Sequence, residues 1–352
     1  MLFGKKQSVL GVDIGTTSIK IVELTKSGSD VALDNYVEYH RTINKKTFPF
    51  QTSSFSFFED DVVSKLIESL NAASIKTKNA NFSLPSFSGF FTTFDLPKID
   101  SSEIESAIKY QSYRYIPLPL QEVVLDWQII NQDSVNSEGK YKVLLVAIPK
   151  DIIEKHKKVA MLAGLDLKTL EIESFSEARA LIRGNKEPLV IVNVGDRATN
   201  IVVVDNGYLK VSHSLDFAGF HITKSLSDGL NISFSRAEEL KREKGLIREV
   251  GGLVSTAVFS IIDKIIFSMQ KAISVHLSQD PRRKIQKIIL SGATANMPGL
   301  IDYFYSKTNI QTEIGRPFDG IVYDPSLEQT IKIIGPSFAV AVGLALREFL
   351  EK

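Results

Sequence analysis

The chain has 352 residues, is 43% hydrophobic and 24% charged, lacks cysteine, and carries a formal net charge of +1. This is the composition of a globular protein with room for two sizeable cores rather than of a disordered chain, and its near-neutral charge gives no footing for nucleic acid. Without cysteine there is no disulfide, thiolate metal site or cysteine nucleophile, which fits a reducing compartment. The N-terminal MLFGKKQ runs directly into an apolar segment and leaves no room for a signal peptide, so a cytosolic location is expected.

Val9 to Leu24 reads VLGVDIGTTSIKIVEL. An apolar run reaches Asp13, breaks at Gly15-Thr16-Thr17 and resumes as an alternating strand through Lys20, which predicts a β-hairpin. The turn holds what a phosphate chain requires: a glycine for close backbone approach, two hydroxyls, unpaired amides and a nearby lysine. Asp13, at the strand end, suits Mg²⁺ held directly or through water. No G-x-x-x-x-G-K-[ST] run occurs, so this is not a strand–loop–helix phosphate loop. Taken alone, a Gly-Thr-Thr turn serves equally well as a plain structural turn. A third strand, VALDNYVEYH, starts at Val31, and Phe55, Phe57 and Phe58 read as core.

From Phe82, FSLPSFSGFFTTFDLP reads as two short strands. Ser101 or Ser102 is the expected N-cap of a helix, with Glu105 completing a capping box on Ser102. Ile104 and Ile108 share one face of that helix, which ends before Pro117. EVVLDWQII and YKVLLVAIP flank the polar NQDSVNSEG and predict a strand pair with Trp127 in a structural position. Asp151 to Gly164 reads as an amphipathic helix closed by a C-cap glycine. Residues 82–165 thus form a β-β-α-β-β-α unit inserted in the first half. Within it Tyr110, Tyr113 and Tyr115, with Lys109 and Arg114, pack beneath the strand pairs or line a partner groove; packing is the preferred reading.

Pro188 to Gly207, PLVIVNVGDRATNIVVVDNG, repeats the opening design: an apolar run, a polar turn at Gly195 with Thr199, then IVVV, followed by another strand from Tyr208. Gly15 and Gly195 occupy matching places, so a duplicated half-domain is the economical reading. A capping box, Ser235-Arg-Ala-Glu238, opens a helix that stops at Gly245. It brings Glu238, Lys241 and Arg242 together, as a solvated charged face or as a ligand contact. IQKIILSGATANMPGL reads as a buried strand, a small-residue loop and a helix with Pro298 near N1. Gly292-Ala293-Thr294 there is an ordinary βα turn or a place where another group approaches backbone. The apolar stretch Ile333–Leu346 is too short to span a bilayer. The five histidines (40, 156, 213, 221, 276) show no metal-ligand spacing.

Taken in order, DIGTTSIK, VGDRATN, AEELKREKG, LSGATANMPGL and GPSFAVAVGLAL resemble the motifs of the actin-like ATPase superfamily. The resemblance implies an α/β, duplicated, ribonuclease-H-like fold. The insertion looks like the small subdomain that the cell-division protein FtsA carries in place of actin's own. MLFGKK…GVDIGTTSIKIVEL, YRYIPLPLQEVVLDWQII and LEIESFSEARAL are similar to the PilM family of type IV pilus assembly. The implied division is a first half at 1–81, the insertion at 82–165, a return at 166–186, a second half at 187–334 and a helix at 335–352 returning to the first half.

The resemblance also implies roles for residues. Asp13 would be the Mg²⁺-side carboxylate, with Gly15, Thr16, Thr17 and Lys20 around the β- and γ-phosphates of ATP or ADP. Gly195, Asp196, Arg197 and Ala198 would form the opposing loop. Glu238, Lys241 and Arg242 would lie at ribose or base, and Gly292, Ala293 and Thr294 against the adenosine. One departure stands out. The second loop of the superfamily usually begins and ends with acidic residues, and here those ends are Asn193 and Asn200. An amide orients water but cannot accept its proton. Asp196 and Arg197 also replace glycines. The expectation is nucleotide binding with slow or absent hydrolysis, at most a weak ATPase.

The implied role is a cytoplasmic scaffold, peripheral at the inner membrane. It would bind the N-terminal tail of a PilN-like inner-membrane protein in a groove between the first subdomain and the insertion. Other pilus assembly proteins and self-association complete the expected partners, with no nucleic acid. Three alternatives use the same fold. A small-molecule kinase needs an acid or base aimed at a substrate, and none stands out. An FtsA-like filament protein carries an amphipathic membrane helix, whereas this chain closes on GLALREFLEK, a poor binder of anionic lipid. A GspL-like secretion protein continues through a membrane span.

Overall fold

Two five-stranded sheets follow one plan. The computed structural model describes residues 7–40, 59–130, 139–247 and 253–350, so Phe55, Phe57 and Phe58 lie outside the described residues. In the first half β1 (Gln7–Ile14), β2 (Ser18–Ser27) and β3 (Asp30–His40) form an antiparallel meander. β4 (Asn79–Leu84) joins β1 in parallel and β8 (Asp166–Ile172) joins β4, giving the order β3-β2-β1-β4-β8. In the second half β9 (Leu189–Val194), β10 (Thr199–Asp205) and β11 (Tyr208–Leu215) form the matching meander. β12 (Lys287–Ser291) and β13 (Gln311–Ile314) extend it in parallel, giving β11-β10-β9-β12-β13. The duplication read from the two hairpins extends to every strand of both sheets.

Burial on both faces explains why β1 and β9 read as unbroken apolar runs. On one face of the first sheet Leu10, Val12 and Ile21 meet Leu66 of α1 (Glu59–Ala72) and Val159 of α3 (Lys150–Leu162). On the other, Val9, Val22 and Leu24 meet Ala341, Val342 and Ala345 of α10 (Ala339–Leu350). The second sheet buries Val190, Val192 and Val203 against α5 (Gly219–Leu230), α7 (Leu253–Gln279) and α8 (Leu300–Thr308). Its other face takes Ala178 of α4 (Glu173–Ile182), a helix that also supplies Ala180 to the first-half core.

α4 and α10 therefore lie between the halves, and small residues let them come close. A Cβ on Gly343 would fall 1.7 Å from the Ser176 carbonyl oxygen, and one on Gly11 would fall 1.9 Å from that of Ala341. Arg179 pairs with Glu171 at 2.6 Å and also donates to the Gly343 carbonyl at 3.1 Å, while Arg347 reaches the same carboxylate at 2.6 Å. Pro325–Leu350 as a whole is long and apolar enough to cross a membrane by composition, unlike Ile333–Leu346 alone. Most of it is buried, and α10 packs on β1 and α4 as a core element.

The inserted unit is smaller than its sequence pattern. β5 (Phe90–Pro97), β6 (Val123–Ile129) and β7 (Lys140–Pro149) form a separate sheet in the order β5-β7-β6, covered by α2 (Ile104–Ser112) through Ile104 and Ile108. The six elements appear in the expected order, but β4 and α3 belong to the first half, by ladder pairing and by core packing respectively. Helix starts also shift. α2 is preceded by a turn in which the Glu103 amide donates to the Asp100 carbonyl, so Glu103 is its N-cap and no side chain caps it. α6 (Phe234–Glu243) begins earlier than Ser235, because the Ser233 hydroxyl accepts from the Arg236 amide. α8 begins after Pro298, whose carbonyl instead accepts from the Leu246 amide.

Candidate functional site: a cleft between two matched hairpins

Both hairpin turns close in the same way. The Gly15 amide donates to the Ser18 carbonyl at 2.9 Å, and the Gly195 amide to the Ala198 carbonyl at 3.1 Å. A Cβ at Gly195 would sit 2.9 Å from that carbonyl oxygen, so a side chain there would force the turn open. The turns face each other across a cavity of about 500 Å³, within the range of a small-molecule site. Its lining includes Asp13, Gly15, Thr16, Thr17, Lys20, Gly195, Asp196, Arg197, Ala198, Glu238, Lys241, Arg242, Gly292, Ala293 and Thr294. Every site residue read from the sequence is thus gathered in one place.

On the first-half side Asp13 is buried and accepts from the Ser83 hydroxyl at 2.8 Å. Burial pushes its carboxyl up, against the opposing pull of Lys20 and that hydrogen bond. Lys20 stands opposite Asp13 in the hairpin register, and its Nζ donates to Ser18 Oγ at 2.7 Å and lies 3.4 Å from Glu38. On the second-half side Gly292, at φ +85°, brings the loop after β12 against the β9 strand end, where a Cβ would meet Asn193 Oδ1 at 2.4 Å. The Thr294 amide donates to the Val194 carbonyl at 3.1 Å.

The charged triad of α6 is more than a solvated face. Lys241 is buried and donates to Glu238 at 2.7 Å, and Glu238 also accepts from Thr223 at 2.5 Å and from Arg242 Nε at 2.9 Å. Burial pushes the Glu238 carboxyl up, but the charge of Lys241 and these hydrogen bonds together outweigh it and hold the group below its ordinary value. Arg242 remains largely exposed at the cavity rim.

Two residues of the site escape the sequence reading: Glu173 and Glu177, in the first half of α4. Glu173 lines the cavity and accepts from Asn200 Nδ2 at 3.1 Å and from the Ser86 amide at 3.3 Å. Glu177 accepts from Asn193 Nδ2 at 2.7 Å and from the Ser291 hydroxyl. The two asparagines that stand where carboxylates are usual therefore each give a hydrogen to a carboxyl from α4, half-buried at Glu173 and buried at Glu177. Burial, followed by the charge of Asp13, pushes Glu173 up to about 8; burial pushes Glu177 up to about 7. Their spacing of four along a helix was the available signal, since it puts both on one face.

A second cavity, of about 750 Å³, lies where the first half, the inserted sheet and the second half meet. Asp30 and Val31, Gln128 and Leu144, and Tyr208 and Leu209 represent the three sides, and Phe175, Arg179 and Arg183 of the α4 segment also line it. α4 thus presents Glu173 to one cavity and Phe175, Ala178, Arg179 and Ile182 to the other. The tyrosines of the insertion do not pack beneath the strands: Tyr110 and Tyr113 are 74% and 68% exposed. Tyr115 alone stacks inward, with its ring 5.1 Å from that of Phe94.

With this geometry in hand, comparison with known proteins is specific. The family described as type IV pilus assembly protein PilM matches residues 11–349. The structure of a PilM-PilN type IV pilus biogenesis complex superposes with a TM-score of 0.81 at 22% identity, covering 96% of this chain and 98% of that one. Cell division protein FtsA of Streptococcus pneumoniae is 21% identical over 92% of this chain and 78% of its own length. MreB 5 of Spiroplasma citri, a structure with bound AMPPNP, has the same fold with a TM-score of 0.55 at 13% identity, covering 97% and 96% of the two chains. The likeness to these structures establishes an actin-like fold, and the match across nearly its whole length makes this chain a member of the PilM family of type IV pilus assembly proteins.

Proposed function

We propose that the protein is a nucleotide-holding scaffold of pilus assembly that captures the N-terminal tail of a PilN-like inner-membrane protein, with slow or no hydrolysis. The observation that carries the nucleotide reading is the single cavity uniting both hairpin turns, α6 and the loop after β12. ATP or ADP would lie with its phosphates between the Gly15 and Gly195 turns and its nucleoside toward Lys241 and Gly292. Mg²⁺ suits Asp13, a hard oxygen donor beside the phosphate turn. Among the described residues no group of three or more acidic, histidine or cysteine side chains could cage a metal. The ion would therefore be shared with the phosphates, as Mg²⁺ sites commonly are.

Slow chemistry follows from the carboxyls. With its value near 8, Glu173 is mostly protonated at neutral pH and cannot take a proton from water. Asn193 and Asn200 cannot take one either. The second cavity supports the partner reading. It lies where the first half, the inserted sheet and the second half meet and is lined by apolar side chains such as Phe175, Leu209 and Val322, which suits the apolar side chains of an extended peptide. Attachment through such a tail would hold the protein at the cytoplasmic face of the inner membrane. Equilibrium titration with MgATP, for wild type and Asp13→Ala, tests the nucleotide reading. Saturable binding weakened by the substitution supports it, and no binding to the wild type overturns it.

A further inference from the structure

Asp196 and Arg197 hold side chains where the superfamily loop usually has bare backbone, and their contacts are specific. The Arg197 guanidinium lies 3.6 Å from the centroid of the Phe220 ring and pairs through Nε with Asp196 at 3.2 Å. Phe220 is itself braced by Phe234, their centroids 5.3 Å apart. Thr17, in the opposite hairpin turn, lines the same cavity and faces the Asp196 carboxylate across it. All five residues are in the second half except Thr17, so the Asp196–Arg197 pair faces the first-half turn across the cavity.

We infer that Asp196 is a built-in stand-in for a nucleotide phosphate, and that Arg197 is a specificity-determining residue which transfers from Asp196 to the terminal phosphate when a nucleotide enters. The inference rests on the proposed nucleotide site. A carboxylate offers planar oxygens to a hydroxyl and a guanidinium much as a phosphate oxygen pair does. Arg197, which engages it, and Thr17, which faces it, both line the cavity between the turns where a phosphate would sit. The Phe220 platform keeps the guanidinium at the cavity wall by cation–π contact, so the transfer needs a change of partner and not of position. Asp196 then competes with the ligand, while Arg197 rewards each added phosphate charge. Other charged groups facing the pair are Lys241 and Glu238, which are already joined to each other.

The test is calorimetric titration of the full chain with MgATP, MgADP and adenosine, comparing wild type with Arg197→Ala and Asp196→Ala, after thermal melting has verified that each variant folds. Arg197→Ala should weaken MgATP by about tenfold or more, the scale of one charge-assisted contact, and leave adenosine unchanged. Asp196→Ala should tighten MgATP severalfold, again without effect on adenosine. Equal weakening of MgATP and adenosine by Arg197→Ala would instead make Arg197 a platform for the base. Weakening of MgATP by Asp196→Ala would make that carboxylate a metal ligand. Either result overturns the inference while leaving the nucleotide site standing. A wild type that binds neither adenosine nor nucleotide overturns both.

Discussion

Asn193 donates its side-chain amide to Glu177 at 2.7 Å, joining the end of β9 to the middle of α4 beside the cleft between the two hairpin turns. The pair explains why an amide stands where the superfamily usually has an acid. Asn193→Asp would press a second carboxylate on one already buried. The cost should be about 3 kcal/mol in urea unfolding, larger at pH 8 than at pH 6. Glu177→Gln added to that variant should restore most of the loss, because the glutamine amide can donate to the carboxylate introduced at the end of β9. No rescue would mean that the asparagine is kept for another reason.

Stability should fall as pH rises through neutrality. Glu173 and Glu177 have folded values near 8 and 7, raised from the ordinary 4.5. Between those limits the folded state binds more protons than the unfolded state, so the stabilisation present below pH 4.5 is lost as pH rises through 7 to 8. Thermal melts from pH 5 to 9 should show the midpoint declining, and Glu173→Gln with Glu177→Gln should flatten the slope. A melting curve that rises over this window would contradict the assigned burial.

Gly343 should tolerate no side chain. With a Cβ 1.7 Å from the Ser176 carbonyl oxygen, relief requires α10 to move off α4. Gly343→Ala should cost about 3 kcal/mol, the upper range for overpacking. Gly207, whose added Cβ would meet open space, gives the comparison, although its φ of +81° carries a smaller backbone penalty of its own.

Turnover of MgATP should be slower than about one per second, below common enzyme rates. What turnover exists should climb as pH passes 8, where Glu173 becomes ionised. A steady-state phosphate-release assay across pH checks both points, and rapid, pH-independent release would show a base elsewhere.

The hairpins, their repetition and the fifteen cavity residues were legible because each rests on a short local pattern, a turn between two apolar runs or a glycine-bearing loop. Membership of β4 in the first sheet was not, since pairing with β1 joins residues about seventy positions apart that no local pattern connects. Glu173 and Glu177 were not legible, because their partners Asn200 and Asn193 come from the second half and no local pattern connects them to α4. The tyrosines show the reverse case. Ile104 and Ile108 suffice to seat α2, so Tyr110 and Tyr113 are left outside.

The central claim is that this fold holds a partner tail in the groove beside α4. It is tested most directly by titrating a synthetic PilN-like N-terminal peptide into the full chain, with and without MgATP, for wild type and Val322→Arg. Val322 is exposed at the groove wall, so the substitution can block the groove without disturbing the core. The account predicts saturable one-to-one binding to the wild type, weakened about tenfold or more by the arginine. Absence of peptide binding in both nucleotide conditions would contradict it.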